Sequence, residues 1–192
     1  MRIRHRLVGV LAAATVLTAV GAPAHADTWF ARDTARDVVR LDAGDDDVAN
    51  AAPAPRRREG DVVALRVSHD ERRVRAAIVY DRLTRPTGGK QVVHVLSLRT
   101  SKGKDVDTIL LTDRSDRQGE LADRPCRGVA TRVEYAADRV VFNIPSRCLG
   151  SPRWVRVGGG IGTMLGERLY VDDALRDGSI RDEMKLGPRV PR

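Results

Sequence analysis

Apolar side chains recur at every second position in run after run of this chain, the spacing that buries one face of a sheet. Over 61–68 the alternating set is Val63, Leu65 and Val67, with Arg66 and Ser68 facing away. Over 74–81 it is Val74, Ala76, Ile78 and Tyr80, and the polar link between the two runs makes them a hairpin. Further strands are predicted over 91–99, 105–112, 131–135, 139–144 and 154–157, with a last one near 168–171 and a first over 37–41. Helical spacing is almost absent: only 145–149 and 173–176 read as helical turns.

Between these runs stand turn formers at 86–89, 101–104, 136–138 and 158–160. Short strands at that rhythm, with no amphipathic helix to make a crossover, predict an all-β fold. The expected architecture is an antiparallel two-sheet β-sandwich, jelly-roll-like, of eight or nine strands. The expected domain covers 27–186, with a linker-like loop at 50–60 and a flexible C-terminal tail over 187–192.

The first 26 residues change the accounting. Arg2, Arg4 and Arg6 precede an uncharged apolar stretch over 7–20, and Ala24-His25-Ala26 then forms an A-x-A site. That order is the signature of a secretory signal peptide cut after Ala26, so a secreted protein is expected. The apolar stretch is short of the roughly 20 residues a bilayer span needs, and no later segment is longer, so no membrane span is expected in the mature form. The leader holds three of the 34 basic residues and none of the 26 acidic ones, which lowers the formal charge from +8 to +5. The basic residues are nearly all arginine, a usage that resembles GC-rich actinobacterial genomes. Acids are interleaved with them and no basic run is paired with aromatics, so nucleic acid is not an expected partner. A chain of this length suits one core and a monomer.

Cys126 and Cys148 both lie in the exported part, where an even count means pairing. One disulfide would close a loop around the hairpin at 129–144.

Candidate chemistry is sparse. Asp42, Asp45 and Asp47 bunch around a glycine and Asp172 stands near the last strand, hard oxygen ligands of the kind calcium takes; the competing reading is a solvated acidic turn. His69 reads as a turn-capping residue beside Asp70, and His94 falls in phase with Val92, Leu96 and Leu98 as a partly buried ring. No G-x-S-x-G elbow is present, and no catalytic residue is assigned. The glycines at 158–160 and 162 lack the Lys-Ser/Thr of a phosphate cradle and read as a flexible loop or bulge. Trp154 and Tyr170 flank that loop and are the candidates for stacking on a sugar, against a plain packing role.

The stretch Gly60-Asp61-Val62-Val63-Ala64-Leu65-Arg66-Val67-Ser68-His69-Asp70, continued by Arg73-Val74-Arg75-Ala76-Ala77-Ile78-Val79-Tyr80-Asp81-Arg82-Leu83, resembles a segment of small secreted actinobacterial proteins that follows a D-x-x-x-D near the mature start. Strand, polar turn, strand and closing Asp-x-Leu also resemble the DOMON-like and family 9 carbohydrate-binding sandwiches. That resemblance covers mainly 37–83. It implies a jelly-roll-like double sheet that binds sugars or haem, often beside a structural calcium. The leading expectation is a secreted, non-enzymatic binding module for a glycan, a cell-wall polymer or a protein partner. The alternatives are an extracellular hydrolase or inhibitor with a dispersed site, and a structural envelope protein.

Overall fold

The computed structural model describes residues 26–42, 44–45, 47–112, 120–121 and 125–192. The expected leader, with Ala24 of the expected cleavage site, lies outside them, and Ala26 is exposed just before the first strand. Among the described residues thirteen strands follow in chain order: β1 (Asp27–Arg32), β2 (Val39–Asp42), β3 (Ala52–Pro53), β4 (Val62–His69), β5 (Arg73–Tyr80), β6 (Gln91–Thr100), β7 (Asp105–Thr112), β8 (Glu120–Leu121), β9 (Ala130–Glu134), β10 (Arg139–Pro145), β11 (Trp154–Leu165), β12 (Arg168–Asp173) and β13 (Val190–Pro191). No α-helix occurs among them, and none is long and apolar enough to cross a membrane.

The strands form two antiparallel sheets, the β-sandwich that the alternation predicts. The smaller has the order β1-β4-β5-β10-β9 and the larger β3-β2-β12-β11-β6-β7-β8, with β13 paired to β11. Leu65, Val67, Val74, Ile78, Phe142 and Ile144 face inward from one sheet. Val92, Leu96, Leu98, Val155, Val157 and Ile161 meet them from the other. The Cys126–Cys148 disulfide, 22 residues apart, ties the approach to β9 to the turn after β10. A loop of that size contributes roughly 3 kcal/mol by limiting the unfolded chain.

Five expectations about the fold need correcting. First, Val62 rather than Val63 enters the core of β4, because a β-bulge between Val62 and Ala64 shifts the register against β5. Second, the segment after the leader is a strand: β1 pairs along the whole edge of β4, with Trp29 turned toward the core and Phe30 toward solvent. Third, the presumed loop at 50–60 carries β3, which pairs with β2. Fourth, the tail from Gly187 is not loose. The Gly187 amide donates to the Val157 carbonyl, β13 pairs with Trp154 and Val155, and Val190 is 2% exposed.

The largest correction concerns β11. The glycines at 158–160 do not end a strand; they lie inside one of twelve residues that is paired to β6 from Val155 to Met164. They are small because both faces are crowded. A Cβ on Gly159 would stand 2.9 Å from the Ile78 side chain in the opposite sheet. On the outer face, a Cβ on Gly158 would stand 2.3 Å from the Lys185 carbonyl oxygen, and one on Gly160 would stand 2.5 Å from that of Asp172. The C-terminal segment therefore lies directly on the glycines.

These contacts set up a contrast between neighbouring glycines. Gly158→Ala is expected to cost about 1–3 kcal/mol, since backbone rather than a side-chain tip must give way. It should also expose the chain near Lys185 to limited proteolysis. Gly162→Ala, whose Cβ would meet nothing closer than 3.7 Å, is expected to leave the melting temperature nearly unchanged. Thermal melts and timed trypsin digestion of the two variants check both statements.

Candidate functional site

Where β1 leaves the smaller sheet and the chain crosses to β2, the turn Asp33-Thr34-Ala35-Arg36-Asp37 brings two carboxylates against two more that the strands supply. Arg36 takes a left-handed conformation, φ 69°. Its amide donates to both carboxylate oxygens of Asp61, at 2.9 and 2.8 Å. Asp61 lies just before the β4 bulge, and the next amide, Val62 N, donates to Asp172 Oδ2 at 2.6 Å. Asp172 comes from β12 in the other sheet, so this contact joins the two layers. Asp177, beyond β12, accepts from the Thr34 hydroxyl at 2.8 Å, while the Gly178 amide donates to Asp37.

The result is two overlapping groups that share Asp37. Asp33, Asp37 and Asp177 form one, and Asp37, Asp61 and Asp172 the other; within each, the nearest ligand atoms lie within 4.8 Å of one another. Asp61 and Asp172 are buried, at 0% and 2% exposure. Asp33 Oδ2 and Asp37 Oδ1 are shielded from solvent and accept no hydrogen bond. Among the described residues no lysine or arginine forms an ion pair with any of the five. Arg176, the nearby cation, is committed to Asp173, which also accepts from Lys185 N.

Burial and crowding of like charge both resist ionisation here. Asp33 is pushed up to about 8, chiefly by burial and then by the Asp37 charge, against the Thr34 amide. Asp172 is also raised to about 8, by burial first and by Asp37, Asp33 and Asp61 after it, although the Val62 amide favours its charged form. Burial raises Asp37 and Asp61 as well. Protons can neutralise such a cluster, and so can a hard divalent cation, whose preferred ligands are carboxylate oxygens. Asp37, Asp61 and Asp172 are the residues placed to hold one.

Of the acids singled out in the sequence, only Asp172 belongs to this cluster. Asp42 lies opposite Arg168, four residues and about 13 Å along the strand from Asp172. It is exposed and its nearest cation is Arg40 at 3.9 Å. Asp45 accepts from Asp47 N and Asn50 Nδ2, and Asp47 caps a short 3-10 turn through Ala49 N. The Asp45 and Asp47 carboxylates organise a solvated turn. Asp33, Asp37, Asp61 and Asp177 were missed. The D-x-x-x-D spacing of Asp33 and Asp37 was the available signal, but their convergence with β12 depends on tertiary structure.

Trp154 and Tyr170 do not converge either. Tyr170 pairs with Thr163, nine residues and about 30 Å along β11 from Trp154, and on the opposite face. Each ring is capped by a guanidinium: Arg189 over Trp154 at 4.4 Å and Arg57 over Tyr170 at 4.0 Å. His69 and His94 are both buried. The His69 Nδ1–H donates to the Val190 carbonyl at 3.0 Å, and Asp70 rather than His69 caps the turn, accepting from the Arg72 and Arg73 amides. His94 Nδ1 lies 2.8 Å from the Tyr80 hydroxyl, and burial pushes its pKa down to about 3.

A separate open surface lies away from the carboxylates. On the outer face of the smaller sheet, a groove of about 420 Å³ is lined by Thr28, Phe30, Arg66, Ser68, Arg75 and Arg139, among others. Phe30 is 47% exposed there, with Arg66 stacked over its ring at 4.9 Å. Comparison with protein-family models, curated proteins and solved structures finds no match, so these two sites stand on their geometry alone.

The carboxylate cluster has a pH signature. An aspartate's ordinary pKa is 3.8, and Asp33 and Asp172 are raised to about 8, so the folded state retains protons that the unfolded chain has lost between those values. Without divalent cations, stability is therefore expected to fall as pH rises from about 4 to about 8 and to level off above that. Calcium is expected to raise the melting temperature at pH 8 and to flatten the slope. Melting curves across this range, with chelator and with calcium, check it; a chelated profile without slope would show the carboxylates to be unstrained.

Proposed function

We propose that the protein is a secreted, non-enzymatic binding module for an extracellular glycan or cell-wall polymer, and that the outer face of the smaller sheet is its binding surface. The observation that carries this reading is the groove around Phe30, an exposed large apolar side chain on a strand. Open grooves on sheet faces admit extended polymers, and strands hold contacting groups more rigidly than loops do. The leader ending at Ala26 supports export. The engagement of both mature-chain histidines in buried structural hydrogen bonds supports a binding rather than an acid/base role. In this reading the carboxylate cluster braces the two sheets at the crossover from β1 to β2, as a calcium site would.

Co-sedimentation with a panel of insoluble polysaccharides and purified cell walls tests the proposal. At least one polymer is expected to pull the protein down, and Phe30→Ala should weaken that retention about tenfold, the worth of one aromatic contact. Protein left in the supernatant with every polymer refutes it.

A further inference from the structure

The pairing register arranges the outer face of the smaller sheet as a grid, since residues directly opposite across strands project from the same side. One row reads Thr28, Ser68, Arg75, Asn143 and Ala130 from β1 to β9. The next reads Phe30, Arg66, Ala77, Val141 and Arg132, and the third Arg32, Ala64, Val79, Arg139 and Glu134. The rows lie about 7 Å apart and run about 19 Å across the sheet. Five arginines and a single acid share this surface. Arg32, Arg66 and Arg75 have no carboxylate within 4.0 Å among the described residues.

The one acid shows what the guanidiniums accept. Arg132 and Arg139 converge on the two oxygens of Glu134 from neighbouring strands, so part of the face is already arranged around a carboxylate. Guanidinium forks match carboxylates in shape and charge, and exposed arginines left unpaired are free to take others. Between them the floor is small and apolar (Ala64, Ala77, Val79), with Thr28, Ser68 and Asn143 alongside as hydrogen-bonding groups. That composition suits sugar rings. It does not suit a run of stacked bases, which needs several aromatic platforms, because Phe30 is the lone aromatic on the grid.

We infer that this face binds an acidic polysaccharide, a glycan chain bearing regularly spaced carboxylates, with Arg32, Arg66 and Arg75 as the principal charge contacts. The inference rests on the binding-module reading above and names its partner. Neutral glycans leave the arginines unanswered and bind weakly.

Titration of the purified protein with polygalacturonate, with neutral dextran and with a single-stranded DNA oligonucleotide tests it. Polygalacturonate is expected to bind, dextran at least tenfold more weakly, and added salt should weaken the polygalacturonate complex. Arg66→Glu combined with Arg75→Glu is expected to reduce that affinity by about tenfold or more, the loss of one or two charge-assisted hydrogen bonds. Arg153→Glu with Arg181→Glu, the same charge change at exposed positions off the grid, should leave it unaltered. Polygalacturonate binding that survives the first pair overturns the site while leaving the binding-module reading intact. Equal binding of dextran, indifference to salt, or tighter binding of the oligonucleotide overturns the ligand class, and the salt series does so without any variant. No binding to any polysaccharide removes both this inference and the reading beneath it.

Discussion

Close approach along β11 is the constraint from which the rest of the structure follows. This strand lies inside the larger sheet, and at Gly158, Gly159 and Gly160 it carries no side chain beyond hydrogen. Opposite it, Ile78 and Leu65 reach down to Gly159; behind it, the chain from Met184 to Leu186 lies on Gly158 and Gly160. With larger residues on β11, the C-terminal segment could not lie on the sheet. β13 would then leave the edge of β11, and Val190, which the His69 ring holds through its carbonyl, would be drawn from the core. A glycine run that looks like a flexible loop is in fact a strand crowded on both faces.

The same fold sorts charge. Along the chain, acidic and basic residues alternate closely enough that the modest net charge looks featureless. In three dimensions, the two-residue period sends Arg66, Arg75 and Arg139 to one outer face, while a turn and two strand ends collect Asp33, Asp37, Asp61, Asp172 and Asp177 at the crossover between sheets. The two populations do different physical work. Arg66 and Arg75 are exposed and have no carboxylate within 4.0 Å among the described residues, while Arg139 is paired with Glu134. The aspartates are crowded and shielded, so their repulsion must be relieved by protons or a cation, which makes the join between the layers sensitive to solution conditions.

Bracing and the proposed binding face are thereby separated. The carboxylates connect β4 to β12 through Val62 N and Asp172, and the disulfide closes the far side of the smaller sheet at Cys126 and Cys148. Between these two fastenings, β4, β5 and β10 present their outer residues on a surface held from both sides. A rigid platform limits the ordering entropy that an extended ligand would otherwise cost on binding.

Alternation in β5, β6 and β10 needs no partner to be legible: every second side chain is apolar, so the class of fold and most strand positions follow from local spacing, and two cysteines in a segment expected to be exported suffice to imply their bond. Other features were settled by neighbours distant in the chain. Val62 displaces Val63 because a bulge against β5 shifts the register, and 158–160 is a strand because Lys185 and Ile78 crowd it. Asp172 meets Asp37 and Asp61 instead of Asp42 because β12 passes β2 in one register and not another. Local chemistry dictates which face of a strand is greasy, but which carboxylates and guanidiniums come together depends on pairing across the sheets, and that information is spread over residues more than a hundred positions apart.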